Sequence, residues 1–200
     1  MPVKYMTYIF IASFLFSSCS VLKKQVEPDV KGSVEQQIPT KNDDQNQFEY
    51  LFTEGVKQKL LGNLQNAISI FSKCLELDPN SAAAMFELAN IHLSNGDQTS
   101  ASLLLEKAVS ISPDNKWYKL LLAQIYQQTK QFEKAAAVYE ELHELEPENL
   151  EYSYLTAMLW ASSKKYEKAI QAYDKLEEKT GLNEQISVEK QQVYQEMEWE

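Results

Sequence analysis

Cys19, Cys74, His92 and His143 are the cysteines and histidines of this chain, whose side chains could serve as nucleophile, general base or metal ligand. A thiolate attacks carbon or binds a soft metal, and a neutral imidazole takes a proton or ligates zinc. Each of those chemistries needs partners at set spacings, and the sequence does not supply them. No cysteine or carboxylate pattern around either histidine places a metal, and neither a Gly-rich phosphate loop nor a nucleophile elbow occurs. His92 shares a 34-residue column with Gln58, Tyr126 and Trp160 and reads as a packed structural histidine. Cys74 shares one with Ala108, Leu142 and Leu176 and reads as a small core residue. Glu140, Glu141, Glu144 and Glu146 fall at helix-surface spacing and read as a solvated face. The expectation is a protein that is not an enzyme and needs no cofactor or metal.

Cys19 stands apart because of what precedes it. Lys4 gives a small positive region, Tyr8 to Phe16 ("YIFIASFLF") is a continuous apolar run, and Ser17 and Ser18 are small. That run is far shorter than the roughly 20 residues a spanning helix requires, so residues 1–18 read as a secretory signal. Phe16-Ser17-Ser18-Cys19 resembles a bacterial lipoprotein lipobox, with Phe16 where Leu is usual. The resemblance implies that the Cys19 thiol is diacylated (a palmitate-type anchor), that the chain is cut before it, and that the new N-terminus is acylated. Ser20, where an Asp would retain a lipoprotein in the inner membrane, implies the outer membrane of a bacterial cell envelope, with the following domain facing the periplasm. Several acyl chains on one residue exceed the two signals needed for stable anchoring.

The segment that follows, through Gln47, has Pro28, Gly32 and Pro39, is rich in Gln, Asn, Asp and Lys, and has no sustained period. Residues 19–47 therefore read as the lipidated cysteine and a flexible linker spanning on the order of 30 Å. With 29 acidic against 19 basic residues the formal charge is −10, which repels phosphate backbones and excludes nucleic acid as a natural partner. Two cysteines are too few for a disulfide scaffold in 200 residues.

From Phe48 a repeat takes over. Pro79, Pro113 and Pro147 are 34 residues apart, and the next step lands on Gly181. The same step links Gly55, Ala89, Ala123 and Ala157; Ala67, Ala101, Ala135 and Ala169; and the large residues Phe71, Leu105, Tyr139 and Tyr173. A 34-residue period with two small columns, one large column and a Pro column resembles the tetratricopeptide repeat. The resemblance implies an all-α fold, a right-handed superhelical solenoid of antiparallel helix pairs in four repeats, near 48–81, 82–115, 116–149 and 150–183. The spacing predicts helices over 47–61, 64–77, 81–94, 98–111, 115–128, 132–145, 149–162 and 166–179, and one more from about 183. Residues 183–200 read either as a capping helix or as the first helix of a truncated fifth repeat. Gly62 and Gly96 suit helix C-caps, and Lys130 and Lys164 hold the same place, where weaker capping is expected. Glu54, Lys119, Ser153 and Thr156 depart from the family's bulky columns, where looser packing is expected.

A solenoid without a catalytic constellation points to binding. On the family's pattern, one wall is lined by the first helix of every repeat, here Phe52, Phe86, Leu120 and Tyr154, and one turn on Val56, Asn90, Gln124 and Met158. These columns are apolar or neutral and lack the cations with which family members grip acidic chaperone tails. They suit an amphipathic helix or an extended apolar peptide, so the expected partner is a protein or peptide, with the membrane engaged only through the lipid and no small-molecule substrate inferred. The same residues could instead pack against further repeats. Two functional classes follow: an interaction scaffold, or an accessory lipoprotein of outer-membrane assembly or secretion machinery. An N-terminal piece of a longer repeat protein is a third reading.

Overall fold

The computed structural model describes residues 41–198; the signal segment, Cys19 and the linker through residue 40 lie outside the described residues. Those described form nine α-helices: α1 (Lys41–Leu60), α2 (Leu64–Leu77), α3 (Ala82–Ser94), α4 (Gln98–Ile111), α5 (Lys116–Gln128), α6 (Phe132–Leu145), α7 (Leu150–Ser162), α8 (Tyr166–Thr180) and α9 (Glu184–Glu198). Each helix packs on its neighbours in the chain, and the short turns make successive helices antiparallel.

Eight of the nine helix starts lie within about one residue of those the periodicity gives; α1 starts earlier, inside the segment read as linker. Its first turn carries Asp43 and Asp44 against the positive end of the helix dipole, and the Gln45 amide donates to Glu49 Oε1 at 3.1 Å. Residues 43–47 are exposed, so no buried period betrays this turn in the sequence.

The turns within each repeat all close alike. In the first, Gly62 N–H donates to the Lys59 carbonyl and Asn63 N–H to the Gln58 carbonyl, a Schellman pair with Gly62 at φ 79°. Lys130 and Lys164 adopt φ 57° and 60° and make the same two bonds, so the expected weaker capping is not found; the departure is paid in backbone strain instead. Between repeats, each proline follows the helix C-cap directly, and Ser81, Asn115 or Asn149 caps the next helix by accepting from Ala84, Trp117 or Glu151 N–H.

The small columns do what a close crossing requires. Ala67, Ala101, Ala135 and Ala169 are fully buried, as are Ala89, Ala123 and Ala157, beside Phe71, Leu105, Tyr139 and Tyr173. Cys74 is fully buried among them, and burial pushes its thiol up, away from a reactive thiolate.

Three expectations need correction. Lys119 does not loosen the array: it is 5% exposed, its stem fills the bulky column, and its ammonium pairs with Glu141. The glutamates of α6 are not simply solvated. Besides that pair, Glu140 accepts from Trp160 Nε1 at 3.0 Å, and Glu146 pairs with Lys116 and accepts from the Tyr152 hydroxyl at 3.2 Å. His92 is half-buried at a turn, its Nδ1 3.2 Å from Asp97 Oδ2, rather than packed in the core.

Candidate functional site

Helical periodicity puts each predicted pair, Phe52 with Val56, Phe86 with Asn90, Leu120 with Gln124 and Tyr154 with Met158, on one face of its helix. Contacts join the first helices α1 to α3, α3 to α5, and α7 to α9. Lys59 of α1 pairs with Glu87 of α3, and the Phe86 ring of α3 lies 4.9 Å from that of Tyr118 in α5. At the far end, the Tyr154 hydroxyl of α7 donates to Glu189 Oε1 of α9 at 2.9 Å and accepts from Gln185 Nε2 at 3.3 Å.

Only Gln124 of the eight side chains is exposed; the other seven are half-buried. Phe52 stacks on Phe48 at 5.9 Å and meets Phe71 edge-on at 5.6 Å, and Tyr154 meets Tyr173 edge-on at 6.3 Å. Phe86, Leu120 and Tyr154 also pack against the core. These residues thus anchor the wall while offering one edge to its surface. Asn90 spends its amide on the Phe86 carbonyl of its own helix, at 2.9 Å. Burial first, then Glu189, pushes the Tyr154 hydroxyl up, so it donates and α9 covers that end of the row.

One residue of this face escapes the predicted columns. Trp117 lies one turn before Leu120 and two before Gln124 on α5 and is 64% exposed, with the Lys116 ammonium 5.2 Å from its ring centroid. Its column otherwise holds Glu49, Ala83 and Glu151, so no repeat of type marks it. The signal available was position alone: an aromatic three residues before a groove residue.

The Lys59–Glu87 pair joins opposite charges where α1 meets α3, and the predicted columns from Phe86 through Leu120 to Met158 carry none, while the exposed Glu49 and Glu151 flank them in the Trp117 column. Among the described residues no group of three or more His, Cys, Asp or Glu could hold a metal ion, and no helix is long and apolar enough to cross a membrane. What the face can do is cover an apolar segment, with Trp117 as a projecting anchor.

A tetratricopeptide repeat model matches residues 60–125 and 93–159. No curated relative matches the chain at a significant level. Among solved structures, a MamA fragment (41-end) from Desulfovibrio magneticus RS-1 is 25% identical, with 68% of this chain and 77% of that one covered at a TM-score of 0.52. A chain of Naa15/Naa10 bound to HypK-THB is 13% identical at a TM-score of 0.69, covering 75% of this chain but only 24% of its own length. The first tetratricopeptide repeat domain of Spaghetti (RPAP3), bound to the HSP90 peptide SRMEEVD, is 20% identical, covering 57% and 93%, at a TM-score of 0.50.

Proposed function

The chain belongs to the tetratricopeptide repeat family, and from that premise we propose that it is a non-enzymatic interaction scaffold whose first-helix face binds an apolar or amphipathic protein segment. The observation that carries this reading is Trp117: a large aromatic ring held out in solvent beside Leu120, on a wall whose predicted columns are mostly half-buried and carry no charged side chain. Aromatic anchors of this kind supply most of the energy of a peptide interface. The acidic HSP90 peptide of the Spaghetti complex is a poor guide to the ligand here, since this wall offers no cationic set to receive carboxylates. We further propose that the scaffold is held at the bacterial envelope, at the outer membrane and facing the periplasm, by lipid on Cys19, with the chain up to α1 as its tether.

Two experiments test the two halves. A photo-crosslinking residue at Gln124 of the full-length protein should trap a segment with apolar residues at helical or alternating spacing, whereas one at Lys107, exposed on α4, should not. Recovery of a strongly acidic tail at Gln124 would overturn the reading. Cys19→Ser should leave the signal uncleaved or release the protein from membranes; unchanged maturation and fractionation would exclude the lipid anchor.

A further inference from the structure

The face opposite the groove carries a cavity of about 600 Å³ between α6 and α8, floored by α7, within the size range of small-molecule sites. Its origin is visible by comparison with the preceding repeat. There, Lys119 and Leu122 of α5 fill the floor, and the Lys119 ammonium pairs with Glu141 of α6. One period on, these three positions are Ser153, Thr156 and Lys175. Two bulky floor residues have become small, and the carboxylate that answered the buried cation has become a cation.

One part of the surroundings is kept in kind. Tyr126 donates to Glu106 at 2.6 Å beneath Lys134, whose ammonium lies 5.0 Å from the ring; Trp160 donates to Glu140 at 3.0 Å beneath Lys168, 4.0 Å from its ring. The cavity therefore opens beside a retained carboxylate–aromatic–lysine stack, while its rim also changes: His143, Glu144 and Lys179 stand where the preceding repeat has Val109, Ser110 and Leu145.

Two buried polar atoms without a hydrogen-bond partner belong to its lining: Thr156 Oγ1, in a residue 5% exposed, and His143 Nδ1. His143 Nε2 lies 3.0 Å from the Lys179 ammonium, which can only donate, so in the neutral ring the proton sits on Nδ1 as a donor without an acceptor. Leaving such buried groups unmet is unfavourable, because they have lost their water without gaining a partner. Among the described residues, Lys175 likewise has no ion-pair partner across the gap. Donors and a cation beside an empty volume call for an anionic acceptor on an apolar stem, in place of the Lys119 stem and the Glu141 carboxylate. Glu140, Glu144 and Glu178 also line the cavity, and their charges disfavour a second negative group on the ligand.

We infer that this cavity binds a monocarboxylate with a short apolar stem, either a free acid or the C-terminus of a peptide. The test follows the Trp160 indole N–H resonance in the full-length protein during titration with hexanoate, N-acetyl-leucine, hexanol and adipate. Hexanoate or N-acetyl-leucine should give saturable shifts, with hexanol and adipate at least 10-fold weaker. Tighter binding of hexanoate marks a free acid, and tighter binding of N-acetyl-leucine marks a peptide terminus; either supports the site. Lys175→Gln, a surface change, should weaken the preferred acid at least 10-fold. Ser153→Lys with Lys175→Glu rebuilds the pair of the preceding repeat and should fold while losing the shift. No saturable shift from either acid, equal binding of hexanol, or unchanged binding in the Lys175→Gln protein would overturn the proposal, leaving a water-filled gap.

Discussion

A methyl group added at Gly55 would lie 2.9 Å from the Phe71 ring, closer than real Cβ contacts allow. The other members of that column are Ala89, Ala123 and Ala157, so the glycine answers one local neighbour. Phe71 is fully buried and cannot withdraw. Helix propensity favours Ala over Gly by about 1 kcal/mol, while overpacking costs about 1–3 kcal/mol. Gly55→Ala should therefore destabilise by about 1 kcal/mol in thermal unfolding. In a Phe71→Leu background, which copies the Ala89 and Leu105 arrangement, the same change should become stabilising; an equal effect in both backgrounds would show that the ring is not what excludes the methyl. The column was legible in the sequence, but its reason was not, because periodicity reports which sizes recur and not which atoms touch. Lys119 makes the same point: as a residue type it broke an apolar column, and only its alkyl stem and Glu141 make it a core residue.

At the scale of the element, helix boundaries were the most legible feature, since prolines, capping residues and the 34-residue step all agree on them. The start of α1 was not, because an exposed polar helix has no buried stripe to read. The lysines at the intra-repeat turns mark where sequence and geometry disagree. With its backbone hydrogen bonds the same as those at Gly62 and Gly96, Lys130 bears the cost of the left-handed backbone, about 1 kcal/mol. Lys130→Gly should raise stability by up to about that amount. A loss of stability, measured by denaturant unfolding, would show that the lysine side chain contributes more than its backbone costs. α9 obeys the repeat only in part. Ile186 and Val193, in the columns of Tyr152 and Leu159, are buried on the preceding repeat, while Tyr194, in the column of Trp160, is 48% exposed. Ion pairs from Lys190 to Asp174 and Glu177, at 2.6 and 2.8 Å, complete its docking.

For the whole array, the sequence columns fall on one face of the first helices, the face proposed to bind, but periodicity does not report how far their side chains are buried. Phe52 and Tyr154 are half-buried, since these aromatics of the first helices also pack edge-on against those of the second. Replacing Phe52 or Tyr154 would thus confound binding with folding. Trp117 separates the two: it is largely exposed, contributes little to the core, and projects from the middle of the face. The central claim is that this face holds an apolar segment of a partner. The most direct measurement is the affinity of the full-length Trp117→Ser protein for the segment trapped from Gln124, alongside its melting temperature. Melting should stay close to that of the parent while binding weakens by about 2 kcal/mol or more, roughly 30-fold, with little dependence on salt. Parental affinity in a normally folded Trp117→Ser protein would contradict that claim.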